Sequence, residues 1–278
     1  VSAVTSMRAM FRFARAFNQY IGDWDVSSVL SMRQMFNVAD SFNQDIGDWD
    51  VSAVTTTKNM FNNAYAFDGD IGDWDVSAVI EADYMFYNCY VFNQDLSGWD
   101  VSNVTNMQNM FNDNLLFNQD LGDWDVSSVQ KMSGLFRGAE SFNQDLGDWD
   151  VSAVTSMSSM FKNADVFNQD LSNWCVQDIE TEPTDFALNS AMDEADLPNW
   201  GASCISVNDF IIFSIIDGNQ FHITEEYQRA INHFNDVTNS NPPATLQDFT
   251  DAVFEDGEIH MTVSLQKIVD AINAGGLD

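Results

Sequence analysis

Aspartates recur along this chain with a spacing of 25 residues, and these carboxylates are the first groups in the sequence that suggest chemistry. One column of them comprises Asp45, Asp70, Asp95, Asp120, Asp145 and Asp170, and two further columns begin at Asp23 and Asp25. Carboxylate oxygens suit a hard cation such as Ca²⁺, although no Ca²⁺ loop of known spacing is present. For the columns that contain Asp45 and Asp23 we favour solvated surface and keep weak Ca²⁺ binding as the alternative. For the column of Asp25 we expect caps on backbone N–H groups.

Catalysis is not indicated by these carboxylates. A catalytic pair needs two unequal environments, whereas a regular column gives each member the same one. The sequence also lacks HExxH, Cys-x-x-Cys and G-x-S-x-G motifs and a glycine-rich phosphate loop. We therefore expect no enzyme activity and no required cofactor, with Ca²⁺ as the open alternative.

The columns arise because the sequence repeats seven times with a period of 25 residues and no insertion or deletion. The tryptophans that mark this period are Trp24, Trp49, Trp74, Trp99, Trp124, Trp149 and Trp174. A fixed period of this size predicts a solenoid, in which each repeat contacts only its neighbours. Counted from the first Val of each repeat, apolar residues occupy positions 1, 4, 7, 10, 11, 14, 17, 21 and 24, with Thr57 at position 7 and Asn114 at position 14 as the polar exceptions. Spacings of three and four predict a short helix over about positions 6–13, and the FNQD segment predicts a strand in a parallel ladder. Asn at position 18 and Gln at position 19 predict side-chain amide ladders between repeats.

A few variable positions are apolar or aromatic in consecutive repeats, where the period should bring them side by side. These candidates for partner binding are Tyr65, Tyr84, Tyr87, Tyr90, Leu115 and Leu116. An exposed apolar patch rimmed by charge is typical of a contact surface. The alternative is random variation at positions that the fold does not constrain.

The charge of the chain restricts its partners. Ten Lys and Arg residues face 43 Asp and Glu residues, which gives a net charge of -33 over 278 residues. Nucleic acid is a poor partner because phosphate binding needs basic residues. No apolar run is long enough to cross a membrane.

The repeat resembles that of the BspA-type leucine-rich-repeat surface proteins, including their mycoplasma-lipoprotein type of 25-residue repeat. The matching motif is W-D-V-S-x-V-T-x-M-x-x-M-F-x-x-A-x-x-F-N-Q-D-[IL], which covers residues 1–175 and departs most at Ala82 and Asp83. The resemblance implies an α/β solenoid, a leucine-rich-repeat-like right-handed coil, that is secreted or displayed at the cell surface and often used in adhesion.

The residues after the repeats resemble the C-terminal cap of that family. We therefore expect a seven-repeat solenoid over 1–175, a cap over 176–205 and a small α+β appendage over 206–278. Cys175 replaces the usual Asp of position 25, and the cap supplies Cys204, so we infer a disulfide between them, with two free thiols as the alternative. Cys89 is expected to be a buried free thiol.

Three functions agree with these observations. The first is a protein-binding or glycan-binding adhesion module that uses the variable positions. The second is a structural subunit that binds further copies of itself, head to tail, through an uncapped first repeat. The third is an acidic, Ca²⁺-binding matrix protein.

Overall fold

Each repeat lies against the next one, joined by backbone hydrogen bonds between residues that are 24 or 25 apart. The computed structural model describes residues 3–202, 254–255 and 258–259. Parallel bridges connect position 6 of successive repeats, from Ser6 with Ser31 to Lys131 with Ser156. The seven repeats are therefore held in one register throughout.

Backbone N–H groups alternate between two kinds of acceptor along positions 7–14. Those at positions 7, 9, 11 and 13 donate to the next repeat, as Val38 does to the Asn62 carbonyl at 2.8 Å. Those at positions 10, 12 and 14 donate three residues back within the same repeat, as Asn37 does to the Gln34 carbonyl at 3.2 Å. This alternation pairs the backbone donors of these seven positions without a helix, and the N–H of position 8 bonds instead to the side chain of position 6 in repeats 1, 3 and 5.

The short helix predicted over positions 6–13 is not formed in the repeats of residues 3–202, where position 6 forms a bridge and positions 8–13 are turns. Positions 9 and 13 have φ between 53° and 66° in all seven repeats, whereas an α-helix needs negative φ at every residue. The prediction was wrong because half of the N–H groups that a helix would use internally are committed to the next repeat. The strand predicted in FNQD is also not formed, and the parallel bridges run through position 6 instead.

All nine positions that were predicted to form the core are buried in repeats 2–7, which confirms that part of the sequence analysis. Phenylalanine rings of successive repeats lie nearly parallel, with centroids 5.5 Å apart for Phe36 and Phe61. Trp49 is buried as well, and its indole N–H donates to the Ile21 carbonyl of the preceding repeat at 3.2 Å. The tryptophans of repeats 2–7 thus fill the core while their one polar atom is satisfied.

Residues 176–202 cover the apolar end of repeat 7. The carbonyls of residues 184, 186 and 188 accept hydrogen bonds from the N–H groups of that repeat. Phe186 is fully buried and packs edge-on against Phe161, with centroids 5.5 Å apart. Trp200 packs edge-on against Phe186 at 4.9 Å, and a 3-10 helix spans Glu194–Asp196.

The chain divides into two units, Val1–Ala202 and Ser203–Asp278. No helix in the described part of the chain has the length and apolarity to cross a membrane.

In the second unit, β1 (Phe254–Glu255) pairs antiparallel with β2 (Glu258–Ile259), with Phe254 opposite Ile259. We expected a helix over residues 245–254, so the strand at Phe254 corrects the end of that prediction. The predicted strand over 207–216 and the predicted helices over 225–235 and 262–273 lie outside the described residues.

One column of the core is interrupted. Position 7 is Met in five repeats but Thr57 in repeat 3 and Ala82 in repeat 4. A cavity lies beside these two small residues, and it is lined by apolar side chains that include Met85 and Met107. The hydroxyl of Thr57 is buried there and has no hydrogen-bond partner.

We expect Ala82→Met to raise the melting temperature, because Met fits at this position in repeats 2, 5, 6 and 7 and would fill the cavity. The gain should be about 1 kcal/mol in the free energy of unfolding, measured by chemical denaturation. Ala64→Met is the control, since Ala64 is buried but does not line this cavity, and overpacking there should destabilise by about 1–3 kcal/mol. Equal effects of the two changes would contradict the assignment of the cavity.

The left-handed backbone at position 13 gives a second prediction. Val38 has φ 61°, a conformation that costs an L-residue about 1–2 kcal/mol and that β-branched residues adopt least readily. We therefore expect Val38→Asn to raise the free energy of unfolding by about 1 kcal/mol. The reverse change at an equivalent backbone, Ser159→Val with φ 55°, should lower it. A loss of stability in Val38→Asn would show that side-chain packing outweighs backbone strain.

Candidate functional site

The part of each repeat that varies most also carries the positive charge of the repeats. We call the positions between residues 5 and 16 of each repeat that lie outside the core, namely 5, 6, 8, 9, 12, 13, 15 and 16, the variable surface. Every basic residue of residues 1–175 lies there, namely Arg8, Arg12, Arg15, Arg33, Lys58, Lys131, Arg137 and Lys162. By contrast, positions 18–25 hold 18 of the 24 acidic residues of this segment and no basic residue. A partner that needs cationic or mixed-charge contacts therefore finds them on the variable surface.

Four tyrosines of the variable surface form two ring contacts. Tyr65 and Tyr90 occupy position 15 of successive repeats and stack with centroids 5.1 Å apart and planes 13° apart. Tyr84 and Tyr87 lie at 5.6 Å with tilted planes. The period thus brings the predicted neighbours Tyr65 and Tyr90 together.

Leu115 and Leu116 extend this row into repeat 5. Leu116 is 52% exposed and Tyr90 is 37% exposed, while Leu115 and the other three tyrosines are half-buried. We call Tyr65, Tyr84, Tyr87, Tyr90, Leu115 and Leu116 the tyrosine–leucine patch. It offers apolar area together with phenol hydroxyl groups.

The Tyr90 hydroxyl keeps its proton more firmly than an isolated tyrosine. Partial burial raises its pKa first, and the nearby Tyr65, Asp113 and Tyr87 raise it further. The group is therefore a neutral hydrogen-bond donor at physiological pH. A partner would meet an uncharged aromatic surface beside the charged residues.

Side-chain amides of position 18 link successive repeats. Asn18 Oδ1 accepts the backbone N–H of Asn43 and the side-chain amide of Gln44, each at 2.9 Å. Asp68, which replaces Asn in repeat 3, accepts the N–H of Asn93 at 3.0 Å in the same way. The amide ladder predicted from the sequence is confirmed, so these polar groups serve the fold.

Aspartates of the column that begins at Asp25 cap the following turn, as predicted. Asp125 Oδ1 accepts the Ser127 N–H at 3.1 Å and the Ser127 hydroxyl at 2.6 Å. The same N–H bond recurs for Asp25, Asp50, Asp75, Asp100 and Asp150. These hydrogen bonds lower the pKa of Asp25, Asp75 and Asp125.

The six aspartates for which we favoured solvated surface, with weak Ca²⁺ binding as the alternative, also cap backbone groups. Asp120 Oδ1 accepts the Gly122 N–H at 2.9 Å, and the other five make the equivalent bond, namely Asp45, Asp70, Asp95, Asp145 and Asp170. All six are exposed. This shared role explains why the column is regular without requiring a cation.

A depression beside Gly69 collects the densest group of carboxylates. Gly69 replaces the usual Gln of position 19, and the depression is lined by polar residues that include Asp45, Asp48, Asp68, Asp70 and Asp73. Within the described residues, no three His, Cys, Asp or Glu side chains are placed to hold one metal ion. Binding of Ca²⁺ by this surface stays a prediction.

A buried ion pair on the variable surface was not foreseen. Lys58 Nζ lies 2.6 Å from Asp83 Oδ2, and the Asp83 side chain is only 2% exposed. The second oxygen of Asp83 is buried without a hydrogen-bond partner. Both residues occupy position 8 of neighbouring repeats, so the period already placed them together. The sequence carried a signal that we missed, since position 8 is basic in repeat 3 and acidic in repeat 4.

The cysteines were predicted to play different roles. Cys89 is a fully buried free thiol, as expected, and its Sγ donates to the Phe61 carbonyl at 3.0 Å. Burial raises the pKa of the Cys89 thiol strongly, so it is a poor nucleophile. Cys175 is half-buried at the end of repeat 7. Cys204 lies outside the described residues, and the disulfide between Cys175 and Cys204 stays a prediction.

Comparison with known protein families gives one result. The model of a family described as "Mycoplasma protein of unknown function, DUF285" matches residues 1–99 and 83–200. A search of curated proteins and a search of solved structures each give no match. The matched segments contain all seven repeats and most of residues 176–202.

The caps of position 25 predict a dependence of stability on pH. The pKa of Asp125 in the folded chain is below its ordinary value of 3.8, because the bonds from Ser127 favour the carboxylate. Its contribution is therefore complete above about pH 4 to 5 and is lost as the pH falls through the folded pKa. The melting temperature should fall over this acidic range.

The variant Ser127→Ala tests this cause directly. Loss of the hydroxyl donor should move the pKa of Asp125 back toward 3.8, measured by NMR titration of the carboxyl carbons. Asp75, whose partner Ser77 is intact, is the internal control and should titrate as before. An unchanged Asp125 titration would show that the hydroxyl bond is not the main cause.

Proposed function

Because the chain belongs to DUF285, a family of Mycoplasma proteins of unknown function, we propose that it is a secreted or surface-displayed repeat protein that binds a protein or glycan partner through its variable surface. We also propose that its repeats form a right-handed solenoid of the BspA-type leucine-rich-repeat class. The in-register bridges at position 6 support the solenoid, and the motif supports the class.

The observation that carries the proposed function is the tyrosine–leucine patch. Tyr65 and Tyr90 are stacked on each other at 5.1 Å, so their rings are already ordered and lose little freedom when a partner binds. Tyrosine combines a large apolar ring with a hydroxyl donor, which suits both protein contacts and stacking against sugar rings. The fold does not require aromatic residues here, since other repeats place Arg, Asp or Glu at position 15.

The distribution of charge supports the same surface. Within residues 1–175, positions 18–25 hold 18 acidic residues and no basic residue and so repel anionic surfaces, whereas the variable surface combines eight basic and six acidic residues. Several of these charges pair within the fold, as Arg15 does with Asp40 at 2.6 Å. The variable surface is therefore nearly neutral, and a partner can approach it without the repulsion of the rest of the chain.

Assembly from further copies is the less supported candidate. The observation that favours assembly is the exposure of two apolar side chains in repeat 1, Met10 at 43% and Phe13 at 58%. A head-to-tail contact would also need free N–H donors at the other end of the repeats. The N–H groups of residues 159, 161 and 163 are already paired with residues 184, 186 and 188, so residues 176–202 would have to move away first.

We expect the triple variant Tyr65→Ser, Tyr90→Ser and Leu115→Ser to lose binding by tenfold or more, because the ordered apolar area of the patch is removed. The full chain would be screened on an array of defined glycans and purified extracellular-matrix proteins, and the titration would use the strongest binder. Val166→Ser is the matched control, since Val166 is an exposed residue of position 16 outside the patch.

Thermal denaturation of the triple variant must show that the repeats remain folded. A folded triple variant with unchanged affinity would exclude the patch as the binding site. A loss of affinity in Val166→Ser equal to that of the triple variant would also contradict it.

A further inference from the structure

Repeat 5 contains a tripeptide that the other repeats lack. Asn103-Val104-Thr105 is the only Asn-x-Ser/Thr sequence in the 278 residues in which x is not Pro. Position 3 of the other repeats is always Ala or Ser, as in Ala78 and Ser128. The fold therefore does not require Asn at this position.

The side chain of Asn103 is exposed, in a turn, while the next residue, Val104, is buried in the core. Its Nδ2 donates one hydrogen bond to the Ser77 carbonyl at 2.9 Å. The residues at the same position of the neighbouring repeats are Ala78 and Ser128, both small. A bulky group on Asn103 would thus extend over small side chains, away from the buried columns.

We propose that Asn103 is an acceptor site for an N-linked glycan. The proposal rests on one part of the proposed function, which is export of the chain through a pathway that contains an oligosaccharide transferase. Asn-x-Thr is the acceptor sequence of such enzymes, and it is modified on surface turns of secreted proteins.

The reaction needs a glycosyl donor linked to a polyprenyl pyrophosphate. A bond forms between Nδ2 of Asn103 and the anomeric carbon of the sugar, and the bond from that carbon to the pyrophosphate oxygen breaks. One Nδ2 proton passes to a base of the transferase, and the polyprenyl pyrophosphate leaves. The glycosylated nitrogen keeps its second hydrogen, so the bond to the Ser77 carbonyl is retained.

The hydroxyl of Thr105 donates to the Ile80 carbonyl at 3.3 Å in the folded chain. Recognition of Thr105 by the transferase therefore competes with the repeat stack, which favours transfer during export, before repeats 4 and 5 have joined. Conversion of Thr105 to Ser keeps the hydroxyl, whereas conversion to Ala removes it. Comparison of these two variants separates the loss of the acceptor sequence from any effect that a change at residue 105 has on the fold.

The test is expression of the full chain in yeast behind a host signal sequence, followed by intact-mass analysis before and after peptide N-glycosidase. We expect one glycan on the wild type and on Thr105→Ser, and none on Asn103→Gln or Thr105→Ala. Release in heavy-oxygen water should label residue 103, identified by peptide mass spectrometry.

A matched control uses the same turn in repeat 3. Ala53→Asn creates the sequence Asn-Val-Thr with the native Val54 and Thr55, and it should add a second glycan. Secreted protein that is glycosylated at residue 53 but not at Asn103 would overturn the proposal, as would secreted wild type without a glycan. Because the host signal drives export, failure here is distinct from failure of the tyrosine–leucine patch to bind.

Discussion

The alternation of backbone hydrogen bonds between two acceptors is the constraint on which the repeats depend. Every second N–H along positions 7–13 is committed to the next repeat, and those at positions 10 and 12 close turns within their own repeat. One inserted residue would turn the N–H groups that bond to the next repeat toward their own repeat, and the reverse. Buried donors and acceptors would then lack partners, at a cost of about 1–3 kcal/mol for each. The 25-residue period is therefore unbroken in seven repeats, although side chains at the variable positions differ widely.

The same constraint separates what the sequence predicted from what it did not. The nine core positions followed from their periodicity, because apolar side chains that recur with one period are buried together whatever backbone connects them. The helix did not follow, since apolar residues three and four apart fit a chain of turns as well as a helix. A signal for the turns was present in Asn59, Asn63 and Gly138, residue types that tolerate positive φ. In the candidate site, the contact between Tyr65 and Tyr90 followed from the period. The burial of Asp83 against Lys58 did not, because it depends on how deep position 8 lies.

Polar side chains supply some of the hydrogen bonds between repeats that a backbone β-ladder supplies in other stacked folds. The position-18 oxygen accepts a backbone N–H from the next repeat, and this role needs only an acceptor. That requirement explains why Asp68 serves where six other repeats have Asn. Positions 20 and 25 likewise need a side-chain oxygen that accepts the backbone N–H two residues later, and Asp supplies that oxygen. Much of the net charge of -33 thus arises from turn chemistry that recurs six times at each of these two positions, and a cation-binding role is not needed to explain it.

Departures from the repeat are consequently more informative than the repeat itself. A residue that each copy retains is accounted for by stacking, capping or burial, as the columns of Phe, Asn and Asp demonstrate. Residues that differ in one or two copies divide into two kinds. Thr57 and Ala82 leave a cavity and an unpaired hydroxyl, and they contribute nothing to stability that we can identify. Tyr90 and Asn103 are of the second kind, since they lie on the surface and the equivalent positions of other repeats hold different residues. Tyr90 stacks on Tyr65 of the neighbouring repeat, so the two departures form one surface feature, and the period alone determines that they meet.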